Sequence, residues 1–335
     1  MRRLVAVLLS AIILLPIQAS ATSSSLWDDA RVFDEMGKTS GTIGGISIDI
    51  TNASPDYLAQ SEMLPLTMLP SIVEVYTATW CSNCVKTEQA LDEAIEELEI
   101  ELDVTRIHYH RFLYETLDPF GSSSTDSRWV DTYGRGSLLS TERVYETSDG
   151  RNVQIDGTER SAPSKVFDGE RMYTGISTKS NSLLTDYSTA LAMRSSHPFA
   201  ENGTVALSVT QDVADPEAFS FQWDISLWSE ETWEVNSWLM FVENSAHFPE
   251  GSNGKGNYSH VLHEAVNIGP QNSSSILLDP PEAWDGGDMS VVLLVDWTTS
   301  KPPTGNSMPA PALSTLLCML AALVPRRNGN SENLQ

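Results

Sequence analysis

The segment Trp80-Cys81-Ser82-Asn83-Cys84, set between a β-rich run and an amphipathic one, constrains what this chain can fold into more than any other feature. Ile72-Val73-Glu74-Val75-Tyr76 precedes it and reads as a strand. Thr87–Leu102 follows as a helix, in which Leu91, Ala94, Ile95, Leu98 and Leu102 recur at helical spacing to make one apolar face. Asp92, Glu93, Glu96, Glu97 and Glu99 make its solvated side. Two cysteines three residues apart at a strand-to-helix turn suit thiol–disulfide exchange. A helix N-terminus offers unpaired N–H groups and a positive dipole end, which favour a thiolate at the first sulfur. Cys81 is therefore the candidate nucleophile, and Cys84 the candidate resolving thiol. The alternatives are a zinc half-site and a structural staple. Zinc wants four ligands, and there is no second CxxC; a staple closing so small a loop stabilises little.

A second signal lies downstream. Ser161-Ala162-Pro163-Ser164-Lys165-Val166-Phe167 reads as a turn then a strand, followed by Asp168-Gly169-Glu170 and a second strand, Arg171-Met172-Tyr173. Leu183–Arg194 reads as a closing helix. A Trp-Cys-x-x-Cys after a strand, then an Ala-Pro opening a hairpin and a terminal helix, resembles the thioredoxin superfamily over roughly residues 70–195. The resemblance implies an α/β thioredoxin-like domain with a central mixed sheet flanked by helices. It also implies a Cys81–Cys84 disulfide, and a cis Pro163 that shapes a substrate-peptide groove with Trp80 and Ala162. The chain is similar, too, to secreted thioredoxin-like proteins with a His-rich strand and an Asp-Pro-Phe loop, here His108-Tyr109-His110 and Asp118-Pro119-Phe120.

Two departures from that family bear on chemistry. Ser82-Asn83 stands between the cysteines, where reductases usually have Gly-Pro and many oxidants Pro-His. Thioredoxin keeps a buried Asp six residues before the first Cys to assist proton transfer; Val75 stands there, with Glu74 facing the other way by strand alternation. The direction of electron flow stays open.

The ends read as targeting segments. Arg2-Arg3, the apolar Leu4–Pro16 and Ala19-Ser20-Ala21 make residues 1–21 an expected signal peptide, too short in its apolar part for a span. Residues 22–43 read as a flexible leader, 299–308 as a linker, and 309–327 as a membrane anchor or sorting signal before a tail, 328–335. Arg326-Arg327 after Ala312–Val324 fits a positive-inside end. A helix from Ala310 would rise only about 22 Å against a ~30 Å hydrocarbon core, and that shortness resembles sorting signals exchanged for a lipid. Cys318 lies in this segment as a small apolar residue. Export suits a disulfide, and sequons at Asn52, Asn202, Asn257 and Asn272 are compatible with glycosylation.

Between the ends, two domains are expected. Residues 44–196 would form the thioredoxin-like one, with Ile46–Ile50 as an edge strand, Val104–Tyr109 as a further strand, and an insertion at 114–160. That insertion carries a short helix at Arg128–Tyr133 and a hairpin, Arg143–Thr147 with Asn152–Ile155. Residues 200–298 would form an all-β immunoglobulin-like sandwich from Val205–Val209, Phe219–Leu227, Ser237–Glu243, Ser275–Leu278 and Ser290–Val295. This tandem order, with Tyr258-Ser259-His260-Val261-Leu262-His263, resembles a family of outer-membrane-related lipoproteins. Trp223, Trp228, Trp233 and Trp238 recur every five residues, which scatters them over both faces of strands.

A net charge of −25 argues against nucleic-acid binding. No Walker, dinucleotide or G-x-S-x-G motif occurs, and no cofactor or metal is expected. The expected function is an extracytoplasmic thiol–disulfide oxidoreductase, held at the cell surface by its C-terminal tail. Its partners would be exported proteins with thiols or disulfides. One rival is a non-catalytic surface scaffold. Another is a copper-handling protein using the cysteines with His108 or His110, which share a strand face, although such proteins usually space the cysteines by three residues.

Overall fold

The computed structural model describes residues 26–33, 37–51, 59–100, 103–111, 118–146, 152–160, 162–215 and 217–300, with 138–146 and 152–160 as backbone only. The chain is mixed α/β and mostly strand. In order come β1 (Asp28–Asp29), β2 (Lys38–Asp49), β3 (Ala59–Pro65), a 3-10 turn (Leu66–Met68), β4 (Ser71–Thr77), α1 (Ser82–Glu97), β5 (Val104–His110) and α2 (Ser123–Ser137). The hairpin β6 (Leu138–Glu146) and β7 (Asn152–Arg160), then β8 (Ser164–Phe167), β9 (Arg171–Thr174) and α3 (Leu183–Met193) follow. The rest is β10 (Thr204–Gln211), β11 (Phe219–Ser226), β12 (Thr232–His247), β13 (Asn257–Gly269), β14 (Ser273–Leu278) and β15 (Met289–Ser300).

A nine-stranded sheet runs β1-β9-β8-β4-β5-β13-β12-β15-β2, a four-stranded one runs β14-β11-β10-β3, and β6 and β7 pair alone. β4 is buried at every position, so it must be covered on both faces, and its alternation does this. Val73 and Val75 pack with Leu91, Ala94 and Ile95 of α1 and Tyr187, Ala190 and Leu191 of α3. Ile72 and Tyr76 pack on the other face with Trp129 and Tyr133 of α2. Each large apolar side chain so buried contributes about 1.5–3 kcal/mol.

Helix α1 starts earlier than its apolar periodicity suggests, because Cys81 is its N-cap and accepts from the Cys84 N–H. It stops at Glu97, and Glu99 turns to φ +55°. Helix α2, expected as a short piece of an insertion, is an integral part of the core. Its Trp129 and Tyr133 share a cluster with Trp238, Met240 and Val242 of β12 and Leu262 of β13.

The expected boundary near 196–200 is not a break between compact units, since residues up to Ser300 form one unit. β13 lies beside β5 in parallel, with Val261 opposite His108, so one sheet continues through both halves. Nor do residues 200–298 make the second pair of layers alone. β2, which begins at Lys38 inside the expected leader, pairs with β15, and β3 pairs with β10. The backbone groups at those edges need partners, and the N-terminal segments supply them. Between the two sheets, Ile46, Ile48, Leu207, Phe221, Leu239, Phe241 and Leu293 form a second core.

Of the recurring tryptophans, Trp223 and Trp233 belong to this core, Trp238 to the α2 side, and Trp228 is exposed. Among the described residues no helix is long and apolar enough to cross a membrane. The expected signal, anchor and tail, with Asn52 and Cys318, lie outside the described residues.

Candidate functional site

Cys81 and Cys84 are joined in a disulfide, with their Cα atoms 5.3 Å apart. The turn that presents them is fixed from its own backbone, because the Cys81 N–H donates to the Ala78 carbonyl at 3.0 Å. The Cys84 N–H donates to Cys81 Sγ at 3.1 Å. That places the first sulfur at the positive end of α1, where a negative sulfur is favoured. Ala78, Cys81 and Cys84 form a small buried cluster, with Trp80 and Ala162 packed against it. The Ala162–Pro163 peptide is cis, and the Pro163 carbonyl accepts from the Gly175 N–H at 2.8 Å. All five residues expected at the site thus come from two adjoining segments, the turn after β4 and the entry to β8. Arg111 lies over the Trp80 ring at 5.4 Å.

Val75 packs with α1 and α3, and Glu74, as strand alternation requires, is on the other side. There Glu74 is buried and receives hydrogen bonds from the Tyr109 and Tyr133 hydroxyls. Arg128 stands 3.5 Å from it and also reaches Asp296 at 3.1 Å. This network braces α2 against the sheet and does not touch the cysteines.

A second set of charges, not anticipated from the sequence, lies on the cysteine side. Glu88 of α1 is buried; Thr77 donates to its Oε1 at 2.6 Å and Lys255 to its Oε2 at 2.7 Å. Burial raises the Glu88 carboxyl, but Lys255 and Lys165 outweigh it and hold the group below the ordinary carboxylate value. Lys165, on β8, is also buried and donates to Thr87 Oγ1 at 2.7 Å; Thr87 in turn donates to the Cys84 carbonyl at 2.9 Å. Burial pulls the Lys165 amine down to about 8, opposed by Glu88 and Asp92.

The loop joining β12 to β13 closes over the same turn. The Asn253 N–H donates to the Thr79 carbonyl at 3.1 Å, and its side-chain amide to the Ala78 carbonyl at 3.3 Å. The Tyr258 hydroxyl lies 2.9 Å from Asn253 Oδ1 and 3.3 Å from the Thr79 carbonyl. From the other flank, Asp118 Oδ2 accepts the Thr79 N–H at 2.9 Å.

His108 and His110 do share a face, as their alternation requires, but they serve different neighbours. His110 Nδ1 is 3.1 Å from Asp118 Oδ2, and its ring packs edge-on to Phe120 and Tyr258. His108 meets His260 across the β5–β13 join, with ring centroids 5.6 Å apart. Burial, then His260, holds the His108 imidazolium well below the usual value, and burial takes His260 down to about 4. His263 finds an acidic partner the sequence did not suggest, with Nε2 2.6 Å from Glu243 Oε2. Among the described residues, Glu243, Asp285 and Asp288 are the one group of three or more His, Cys, Asp or Glu whose ligand atoms gather within 4.8 Å. Neither cysteine belongs to it.

No protein-family model matches the chain. No curated protein is significantly similar to it in sequence. Among solved structures, HBP35 of Porphyromonas gingivalis aligns at 14% identity with a TM-score of 0.36, over 71% of this chain and 65% of that one.

Proposed function

We propose that this protein is a thiol–disulfide oxidoreductase that works through Cys81 and Cys84 on exported protein substrates. The observation that carries the reading is the Cys81–Cys84 disulfide at the N-cap of α1 with Ala162 packed on it and a cis Pro163 next in the chain. The order of β4, α1, β5, the β8–β9 hairpin and α3 supports a thioredoxin-like arrangement of this half. In the reducing direction, the Cys81 thiolate attacks one sulfur of a substrate disulfide. That bond breaks, one substrate sulfur leaves as a thiolate, and the other is held on Cys81. Cys84 then attacks Cys81 Sγ, the intramolecular disulfide forms, and the second substrate sulfur leaves. Two electrons pass from the pair to the substrate, and oxidation is the same sequence reversed.

Pro163 and Ala162 would form the wall along which a substrate peptide lies, and Trp80 would limit water at the sulfurs. Export through residues 1–21 and retention through 309–327 belong to the same proposal, and a chain ending at Met308 should then be released as a soluble protein.

The insulin-reduction or scrambled-RNase assay tests the reading, with Cys81→Ser as the control; equal activity of the two proteins removes it. Cys84→Ser should leave Cys81 joined to its substrates as adducts that vanish with reductant, which mass spectrometry can name. A scaffold reading is favoured by one observation, that Cys81 is only 6% exposed. Absence of Cys81-dependent adducts in the Cys84→Ser protein would select it.

A further inference from the structure

Lys255 belongs to the loop joining β12 to β13, yet its ammonium ends on a residue of the cysteine helix, Glu88, at 2.7 Å. Glu88 follows Cys84 by one helical turn, so the two share a face of α1. Both are buried. We infer that Lys255 is a positioning residue for the Cys81–Cys84 pair: it holds the Glu88 carboxylate beside Cys84, where that carboxylate takes the proton Cys84 must lose. The inference rests on the oxidoreductase reading above and deepens it, because it makes a segment from the second half of the chain part of the redox site.

Glu88 is built to stay in one place. Thr77 at the end of β4 fixes one carboxylate oxygen and Lys255 the other. The charged and titratable groups around it are Lys165 from β8, Lys255 from the loop and Tyr258 from β13; Asp92 acts on Lys165, and Asp118 on Tyr258. Burial by itself favours the protonated carboxyl, which cannot accept a proton. Lys165 is already engaged by Thr87 and has its own charge weakened by burial. Lys255 stands first among the groups that favour the carboxylate. The loop that carries it is docked independently, through Asn253 on the Ala78 and Thr79 carbonyls.

The step is the resolution of a mixed disulfide on Cys81. The Cys84 S–H bond breaks and its proton passes to Glu88. The sulfur's electron pair forms the bond to Cys81 Sγ. The partner sulfur leaves with the pair of the broken S–S bond, as a thiolate. No outside oxidant or reductant enters beyond the mixed disulfide itself.

The experiment mixes the reduced full chain with oxidised glutathione and follows the glutathione adduct on Cys81 by acid quench and mass spectrometry between pH 5 and 9. In Lys255→Met, Glu88 is protonated over a higher pH range. The adduct should persist about twofold longer than in wild type at pH 5, the ratio falling towards one at pH 9 as the Glu88 carboxyl ionises in both proteins. Lys255→Arg should restore the wild-type profile, and Lys255→Gln gives the same test should the Met variant fold poorly. Glu88→Gln should slow resolution across the range, and adding Lys255→Met to it should change nothing further. Profiles of Lys255→Met and wild type that superimpose overturn the inference, as do additive losses in the double variant. Wild-type protein that forms no adduct at all overturns the oxidoreductase reading, and this inference with it.

Discussion

His110 Nδ1 lies 3.1 Å from Asp118 Oδ2, and both side chains are shut away from solvent. The same carboxylate oxygen accepts the N–H of Thr79, two residues before the first cysteine. One buried Asp therefore ties the turn that presents the disulfide to β5.

Asp118→Ala leaves the Thr79 N–H and the His110 ring without that acceptor inside the protein. A buried polar group so stranded costs about 1–3 kcal/mol. Urea unfolding of the oxidised protein should show a loss of that size, and alkylation of Cys81 after reduction should change in rate. Unfolding curves that coincide with wild type would show that the turn is anchored elsewhere.

Arg128 joins Glu74 at 3.5 Å to Asp296 at 3.1 Å. Arg128→Met removes the Arg128 cation from Glu74, which keeps the Tyr109 and Tyr133 hydroxyls, while Asp296 keeps Arg31 at 2.6 Å. Removing one partner of a buried ionic set costs about 3–5 kcal/mol. Burial raises the Asp296 carboxyl, but Arg128 and Arg31 outweigh it and hold the group below its ordinary value. A depressed carboxyl stabilises the fold above its unfolded pKa, ~3.9, and that stability drains away as pH falls through the folded value. Acid titration of stability should therefore be steeper below ~4 in wild type than in Arg128→Met. Parallel curves would count against the network.

Asp168 carries the opposite sign. Burial pushes its carboxyl up from 3.8 to about 7, although the Ile72 N–H donates to it at 2.8 Å. Between those values the native state holds a proton that the unfolded chain has released, so stability falls as pH rises. Asp168→Asn keeps an acceptor for Ile72 and should flatten this part of the stability curve. Chemical denaturation at pH 4, 5.5 and 7 reads it, and an unchanged slope would refute the assignment.

Gly251 has no room for a side chain: a Cβ there would meet the Tyr258 hydroxyl at 2.1 Å and the Thr79 carbonyl at 3.0 Å. Gly251→Ala should force the β12–β13 loop off the cysteine turn, at about 1–3 kcal/mol, and quicken reduction of Cys81–Cys84 by dithiothreitol. A reduction rate equal to wild type would mean that the loop does not guard the disulfide.

The sequence was most legible where chemistry is local. Ile72–Tyr76 alternates, Leu91, Ala94 and Ile95 repeat at helical spacing, and each lies where those periods put it. The cysteine pair and the Ala162-Pro163 turn were visible for the same reason, as short motifs that carry their own geometry. β3 was not, because its residues are mostly exposed and show no apolar alternation; it is a strand only because β10 offers it an edge. β13 was read as a motif and not as a strand, since it is buried on both faces in part and holds His260 at φ +55°. The Lys255–Glu88 contact joins residues 167 positions apart. Nothing in either neighbourhood announces the other, so the charge set beside the cysteines could emerge only from the fold.

The pairing of β2 with β15 sets an order of events during synthesis. Ile46 lies against Leu293, and Lys38 against Ser300. Among the described residues, the first long strand to leave the ribosome must therefore wait without its sheet neighbour until the last has been made. Contacts so distant in sequence reward the chain only after a large closure cost, which slows folding and leaves apolar strand surface open in the meantime. A chain interrupted shortly before Met289 would hold every residue of the cysteine site and still lack the strand against which β2 settles.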